Sequence, residues 1–344
     1  MNNYTTSELQ NAQRIEKKAL RITVTKLGFL FILYDLIFMY ITKQIFVYGY
    51  YAIATKSFSI NPYVVNKFLQ SNVSFISSSA FTMSFSCFVI LLSLIMVLIT
   101  ARLMGIRVLN SVKINHQNIR IGLIAYPIGL LVNTILTTIT SIITKFFSAN
   151  GTTIPTADFS VDKASATAII FTILYLVVVA PISEEIVFRG LILKALSPFG
   201  RKNAIVMSAI LFALMHKNIP QAVGAFAIGI IFAIVDTKAN SIVPSIIMHS
   251  LNNMLPCLMN INSSVNSMVI TIIYNFLVYA IVLAGITIAI VKGKKLFSIK
   301  AEIEREKSAL PEYRKRLEIF LNPVILIYIG ILVYSLIANI IAAN

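Results

Sequence analysis

Charged side chains are scarce in the apolar part of this sequence, and several fall in one short run. Residues 183–190 read Ser-Glu-Glu-Ile-Val-Phe-Arg-Gly. On a helix, Glu185 and Arg189 are four residues apart and can pair on one face, whereas Glu184 points about 100° away from Glu185. Pairing lowers the cost of burying a charge. Glu184 is therefore the carboxylate left free for chemistry.

Two histidines lie in apolar segments further along the chain. Phe212 and His216 are four residues apart, so an aromatic ring can pack beside the imidazole. His249 and Asn253 have the same spacing and present an imidazole and an amide from one stripe. Three helices would thus supply a carboxylate, an imidazole and a pair of hydrogen-bonding groups.

Such a set can hydrolyse a bond. Glu184 and a neutral His216 can hold and deprotonate a water molecule, while His249 and Asn253 can donate to a developing oxyanion. The same residue types allow a second reading, in which Glu184, His216 and His249 bind zinc and leave one position open for water. The sequence contains no HExxH motif, so we favour a metal-free glutamate mechanism and keep zinc as the alternative.

Each pair taken alone is more typical of polar contacts between packed helices. Together, and in this order, the three pieces resemble the CPBP family, the CAAX-protease and bacteriocin-processing intramembrane proteases also called the Abi family. The family motifs are EExxxR (frequently EExxFRG), FxxxH, and HxxxN or HxxxD. Here they read Glu184-Glu185-Ile-Val-Phe-Arg189-Gly190, Phe212-Ala-Leu-Met-His216 and His249-Ser-Leu-Asn-Asn253. The resemblance covers about residues 165–258.

The resemblance implies a role for each matched residue. Glu184 would be the general base on the attacking water, assisted by His216. Glu185 and Arg189 would orient that carboxylate and hold the helix, and His249 with Asn253 would line the oxyanion site. Family members are commonly described as metalloproteases, but a metal-free glutamate mechanism also fits these residues.

The composition is that of a membrane protein. Of 344 residues, 58% are hydrophobic and only 12% are charged, whereas soluble domains have about 45–50% apolar and about 25% charged residues. We therefore predict an all-α, polytopic helical bundle with eight or nine transmembrane helices. The candidate spans are 27–45, 74–100, 120–147, 165–182, 203–217, 221–237, 241–258, 267–291 and 321–342.

The net charge of +16 follows from the predicted topology. With nine spans and a cytoplasmic N-terminus, 23 of the 29 Lys and Arg residues lie in cytoplasmic segments and six on the other side. This bias is the positive-inside pattern of membrane proteins. It indicates a multi-pass protein of the cell membrane and gives no reason to expect nucleic acid as a partner.

The predicted organisation has four parts. Residues 1–26 form a cytoplasmic amphipathic segment, whose residues 5–22 can lie as a helix on the inner leaflet. N-terminal transmembrane helices occupy 27–164, a CPBP-like catalytic core occupies 165–258, and C-terminal helices occupy 259–344. The last part includes a basic cytoplasmic loop, 292–320, which anchors the topology or docks anionic lipid or a cytosolic partner.

The depth of the two key residues sets a condition on the fold. If helix 165–182 ends at Pro181, Glu184 lies at the membrane surface and His216 about 20 Å deeper. We therefore expect this helix to continue to about residue 195, with Glu184 part-way along it and facing a cavity open to the cytoplasm. Asp35, in the first span, should face another helix, because lipid exposure is costly.

The sequence thus predicts an intramembrane endopeptidase that cleaves a membrane-associated peptide or protein, such as a bacteriocin or pheromone precursor. The alternative is a non-proteolytic membrane scaffold or bacteriocin immunity protein with the same fold and a membrane-protein partner. A transporter is less favoured, because no internal repeat is visible and the polar residues cluster at one place.

Overall fold

The structure is a computed structural model that describes residues 6–103, 105–156, 159, 161, 165–297 and 308–344. Helices and no strands occur among the described residues. The principal helices are α1 (Thr6–Thr55), α2 (Pro62–Ser71), α3 (Ser79–Leu103), α4 (His116–Ala149), α5 (Ala166–Phe199), α6 (Arg201–Met215), α7 (Ile219–Ala239), α8 (Val243–Val265), α9 (Met268–Phe297), α10 (Glu312–Phe320) and α11 (Pro323–Ala342).

Seven helices in the described part of the chain are long and apolar enough to cross a membrane, namely α1, α3, α4, α5, α7, α9 and α11. The prediction of an all-α, multi-pass membrane bundle is confirmed. The predicted spans 203–217 and 241–258 fall on α6 and α8. Of these, α6 has only 15 residues, and α8 carries His249 and several asparagines. The count of eight or nine spans stays a prediction.

Side-chain caps define where several of the helices begin. The side chains of Asn115, Ser165, Asn218 and Asn322 accept hydrogen bonds from backbone N–H groups in the first turns of α4, α5, α7 and α11. Proline follows the cap in α7 and α11, where its missing N–H is not needed. Asn and Ser are favoured at this position because they satisfy N–H groups that have no partner within the helix.

The N-terminal helix differs from our expectation. Residues 6–22 are helical, but they continue without a break into the first span as α1, instead of forming a separate helix on the leaflet. Leu20 and Val24 are buried, and Arg21 donates two hydrogen bonds to Glu318 of α10. Contact with α10 thus gives the apolar side of this segment a protein partner in place of lipid.

The basic segment 292–320 is largely helical where the structure describes it, as the sequence suggests, and its second helix begins after Pro311. Residues 292–297 extend α9, and Glu312–Phe320 form α10. Residues 298–307 of that loop, like residues 1–5 of the N-terminal segment, lie outside the described residues.

Helix α5 continues through Pro181, as we expected. Two π-helical segments, Leu174–Val179 and Ile186–Leu193, flank the turn that carries the two glutamates. A proline lacks the N–H of the normal ladder and crowds the carbonyl four residues earlier, and local π adjustments accommodate it in membrane helices. The helix therefore reaches Phe199 and holds Glu184 well inside the bundle.

Helices α5 and α6 form an antiparallel hairpin that brings Glu184 and His216 to the same depth. The turn between them is at Gly200, whose φ is +149°, and which follows Glu184 and precedes His216 by sixteen residues each. At 1.5 Å per residue, each lies roughly 24 Å from the turn. The equal lengths of the two arms therefore place Glu184 and His216 at the same depth in the bundle.

The remaining helices surround this hairpin. Helix α4 packs against α7, α8 and α9, while α1 packs against α11. We call the end of the bundle that holds Gly200 the Gly200 end; it also holds Asn203, which donates to Glu312. We call the other the Asn344 end, where Asn344 hydrogen-bonds Thr153.

Candidate active site

A cavity of about 420 Å³ lies beside the middle of α5. Glu184, His216, His249 and Asn253 all line it, although they come from three different helices. Glu184 is partly exposed to the cavity, with 17% of its side-chain surface accessible. All four residues that the sequence predicted as catalytic therefore share one cavity.

Glu185 forms the buried centre of a charged network. Its Oε1 accepts a hydrogen bond from Arg189 NH1 at 3.1 Å and contacts His249 Nδ1 at 2.9 Å. The expected pairing of Glu185 with Arg189 is present. However, the carboxylate of Glu185 contacts His249, whereas we expected it to orient Glu184. The sequence could not show this, because the two residues lie 64 positions apart.

Arg189 has further contacts besides Glu185. Its NH2 donates to the carbonyl of Gly229 at 3.2 Å, and its guanidinium carbon lies 4.4 Å from the centre of the Phe212 ring and 5.4 Å from that of Phe232. Cation–π contacts of this kind contribute about 2 kcal/mol when they are desolvated. Phe212 thus supports both Arg189 and the two histidines.

The ring of His216 has a defined orientation. Its Nδ1 lies 2.9 Å from the carbonyl oxygen of Phe212, and because a carbonyl only accepts, Nδ1 carries the hydrogen of this bond. The Phe212 ring packs edge-on against the imidazole at 5.2 Å between centroids, as the spacing predicted. In the neutral ring, Nε2 is then the nitrogen available to accept a hydrogen bond.

His249 and Asn253 are tied to α5 from α8. His249 Nε2 lies 3.8 Å from Glu184 Oε2, so this histidine sits between the two glutamates. Asn253 donates to the carbonyl of Leu176 at 3.1 Å, which lies in the first π-helical segment. The second hydrogen of the Asn253 amide has no part in that bond.

A second cavity, of about 460 Å³, meets the first at the candidate catalytic residues. His216, His249 and Asn253 line both cavities. The wall of the second is rich in polar side chains from α4, where Asn133 donates to Asn252 at 3.3 Å. Most of its hydroxyl groups come from Thr134, Thr137, Thr138 and Thr140. His216, His249 and Asn253 thus stand between the first cavity, whose wall is both aromatic and polar, and the second, hydroxyl-lined cavity.

The expectation of a cavity open to the cytoplasm stays a prediction. The lining of the first cavity extends from Phe188 to Tyr175 on α5 and from His249 to Asn260 on α8. The cavity therefore lies around the middle of α5 and extends toward the Asn344 end. On the Gly200 side of Phe188, Leu191 and Ile192 are buried in the main core and fill the space.

Zinc bound by Glu184, His216 and His249 stays an alternative. Within the described part of the chain, no three His, Cys, Asp or Glu side chains are arranged to hold a metal ion. Nδ1 of His249 contacts Glu185 and Nδ1 of His216 contacts a backbone carbonyl. Such contacts leave Nε2 of each ring free and also occur in histidines that bind zinc.

Several cavity residues were not predicted as part of the site. Lys217 and Gln221 line the cavity beside His216, and Asp35 enters it from α1. Asp35 faces another helix, as expected, and pairs with Lys217 at 2.9 Å. For Gln221 the sequence does carry a local signal, because Asn218 and Gln221 have the spacing of a capping box. The two residues hydrogen-bond each other at the start of α7.

Comparison with known proteins agrees with the site. Residues 166–255 match the Rce1-like family, described as type II CAAX prenyl endopeptidase Rce1-like. No curated protein and no solved structure matches the chain. The matched residues include all seven side chains that the three motifs predicted. The resemblance to the CPBP and CAAX-protease family is therefore confirmed over residues 166–255, the segment that builds the candidate active site.

Proposed function

We propose that the protein is an intramembrane endopeptidase that hydrolyses a peptide bond in a membrane-associated peptide or protein. The observation that carries this proposal is the meeting of Glu184, His216 and His249 at one cavity inside a membrane bundle. The family match supports peptide hydrolysis as the type of reaction. The apolar wall of the cavity favours a hydrophobic segment as substrate.

Glu184 and His216 activate the water in this mechanism. The carboxylate of Glu184 accepts a proton from the water as its oxygen attacks the carbonyl carbon. Because Nδ1 of His216 donates to Phe212, Nε2 of the neutral ring can accept a hydrogen bond from the same water. The proton held by Glu184 then passes to the departing nitrogen, and the products are a carboxylate and an amine.

His249 and Asn253 stabilise the oxyanion. With Nδ1 of His249 bonded to Glu185, donation to the oxyanion requires a hydrogen on Nε2 as well. The second amide hydrogen of Asn253 supplies a further donor. Removal of one such donor typically slows acyl transfer by about 10²–10³-fold.

Water reaches the site through the second cavity. Its threonine and asparagine side chains from α4 provide hydrogen bonds, whereas the first cavity adds aromatic and aliphatic groups to the polar side chains around Glu184. Substrate and water would then approach His216 from different sides. A separate water route allows hydrolysis to proceed while an apolar substrate fills the first cavity.

Catalysis is metal-free in this proposal, because Glu184 and His216 can together activate a water molecule without a metal ion. The measurement is the zinc content of the purified protein, together with activity after chelation. Zinc at about one equivalent that is lost in His216→Ala would overturn this part of the proposal.

The decisive experiment compares Glu184→Gln and His216→Ala with the unaltered protein at equal expression. Newly formed peptide ends in the membrane fraction are identified by mass spectrometry in each strain. We expect ends that depend on the protein to fall by about 10²–10⁴-fold in Glu184→Gln. The control is Glu312→Gln, since Glu312 is largely exposed and lies at the Gly200 end.

The same experiment tests the scaffold alternative. If Glu184→Gln and His216→Ala both retain the cellular phenotype and the same peptide ends, the hydrolytic function is wrong and a non-proteolytic scaffold or immunity role is supported.

A further inference from the structure

A separate cavity of about 670 Å³ opens at the Gly200 end of the bundle. Four basic side chains surround it, and each comes from a different helix: Lys194 of α5, Arg201 of α6, Lys238 of α7 and Lys295 of α9. None of them belongs to the candidate active site. Their convergence from four helices makes this a folded pocket and distinguishes it from a basic loop.

Within the part of the chain that the structure describes, these four cations have no acidic partner and form no ion pair. Lys238 donates to the backbone carbonyl of Lys295 at 2.6 Å, which joins the last turns of α7 and α9 beside the cavity. Four positive charges around one cavity repel each other, and an anion in the cavity would relieve that repulsion.

The floor of the cavity holds two buried polar atoms that lack partners. Arg189 and Asp236 line it, and they are 1% and 4% exposed. Arg189 Nε and Asp236 Oδ2 have no hydrogen-bond partner, although Asp236 Oδ1 accepts from the backbone N–H of Ser245. A ligand that fits this floor offers an acceptor to Arg189 and a donor, such as a hydroxyl, to Asp236.

The cavity lies at the ends of the membrane-spanning helices, and this position indicates the source of the anion. Lys194, Lys238 and Lys295 lie in the last turns of α5, α7 and α9, and Arg201 is the first residue of α6. The ends of membrane-spanning helices lie at the level of the lipid headgroups, where basic pockets between helices bind anionic lipids. A phosphodiester at this level belongs to a lipid.

We propose that this cavity binds the headgroup of an anionic phospholipid that carries hydroxyl groups. The four cations hold the phosphodiester, the oxygen atoms of the headgroup accept from Arg189 Nε, and a headgroup hydroxyl donates to Asp236. Because Arg189 also donates to Glu185, the bound lipid touches the side chain that supports the buried network around His249. The lipid thereby stabilises the arrangement of the site from the opposite side.

The test uses the purified full-length protein in detergent, titrated with short-chain phosphatidylglycerol, and measures the midpoint of thermal unfolding. We expect a saturable rise with phosphatidylglycerol and none with phosphatidylcholine of the same chain length. In Lys194→Gln/Arg201→Gln, the concentration for half the effect should increase by on the order of 25-fold, since each cation contributes about fivefold.

Two further comparisons keep the result interpretable. Lys43→Gln/Lys67→Gln removes the same charge from exposed positions toward the Asn344 end and should behave like the unaltered protein. Lys238→Gln/Lys295→Gln removes the other two cations and should weaken the effect if the first variant does not fold. No substrate is present, so the result is independent of what the protein hydrolyses.

Three outcomes would overturn the proposal. The first is an equal rise with phosphatidylcholine, and the second is an equal loss in the Lys43 and Lys67 control. The third is a full rise with inorganic phosphate alone, which would mean that the cavity binds a soluble anion and does not need a lipid.

Discussion

At the scale of single residues, the most constrained group is the buried ion pair of Glu185 and Arg189. Neither side chain has exposed surface, and Glu185 also holds His249. The cost of desolvating both charges is offset only while both partners and their additional hydrogen bonds are present. The stability of the fold therefore depends on the same contacts that orient His249 in the site.

Removing one residue of the Glu185–Arg189 pair should lower the free energy of unfolding more than removing both. Arg189→Met leaves Glu185 as an uncompensated buried charge, and we expect the free energy of unfolding to fall by about 3–5 kcal/mol. Glu185→Gln/Arg189→Met should lose clearly less, because no buried charge remains. Unfolding in mixed micelles gives both values.

The control is Lys17→Met, since Lys17 is 42% exposed where it pairs with Glu318, and its loss should cost roughly 0–1 kcal/mol. Equal losses in the single and double variants would contradict this account of the network.

Local spacing predicted the contacts that lie within one helix and missed those between helices. The pairs Glu185 with Arg189 and Phe212 with His216 follow from four-residue spacing and are both present. The contact of Glu185 with His249 joins distant segments, so no local pattern encodes it. The contact of Glu185 with His249 exists only in the folded bundle, where α8 lies beside α5.

At the scale of helices, the close approach of α6 and α7 holds the site together. A Cβ atom on Gly229 would lie 3.2 Å from Phe212 and 3.3 Å from the backbone of Ala209. Such contacts are tighter than normal packing, so a side chain larger than a methyl group at this position would push the two helices apart. The position of Phe212 beside Arg189 and both histidines follows from this approach.

A larger residue at position 229 should disturb the packing of α7 against α6. We expect Gly229→Val to lower the free energy of unfolding by about 1–3 kcal/mol and to reduce hydrolysis, because Phe212 must move. The matched control is Gly330→Val on α11, where no atom lies within 4 Å of an added Cβ. An unchanged unfolding curve for Gly229→Val would show that α6 and α7 are not packed this closely.

The hydroxyl-lined cavity makes a prediction about solvent access. Thr137→Cys, in a Cys87→Ala/Cys257→Ala background, should react with a water-soluble thiol reagent on the order of tenfold faster than Ile139→Cys, since thiolate formation needs water. Ile139 is 47% exposed on the outside of α4, so both thiols are sterically accessible. Equal labelling rates would rule out a water-filled cavity at Thr137.

Hydropathy predicted most of the helices, but it misplaced some of their boundaries. Apolar runs located the spans because a bilayer requires them. The change from polar to apolar composition near residue 26 suggested a break, yet helix formation does not depend on polarity and α1 runs through it. The π-helical segments of α5 also escaped prediction, since packing against α8 and α6 supports them.

At the scale of the whole molecule, the two ends of the chain close the bundle beside the site. Helix α1 packs along α10 and α11, and Glu318 accepts hydrogen bonds from Arg21 and contacts Lys17. Neither segment belongs to the family match, which covers residues 166–255. The termini nevertheless complete the cavity wall, since Asp35 of α1 and Tyr328 of α11 both line it.

The contact between α1 and α10 should depend on pH. The hydrogen bonds from Arg21 hold the pKa of Glu318 below its usual range. A carboxyl group with a lowered pKa in the folded state stabilises the fold above its unfolded pKa, and this contribution is lost as the pH falls through the lowered value. The difference in unfolding temperature between the unaltered protein and Glu318→Gln should therefore be constant near neutral pH and vanish in acid. A difference that persists in acid would mean that Glu318 acts through packing and not through its charge.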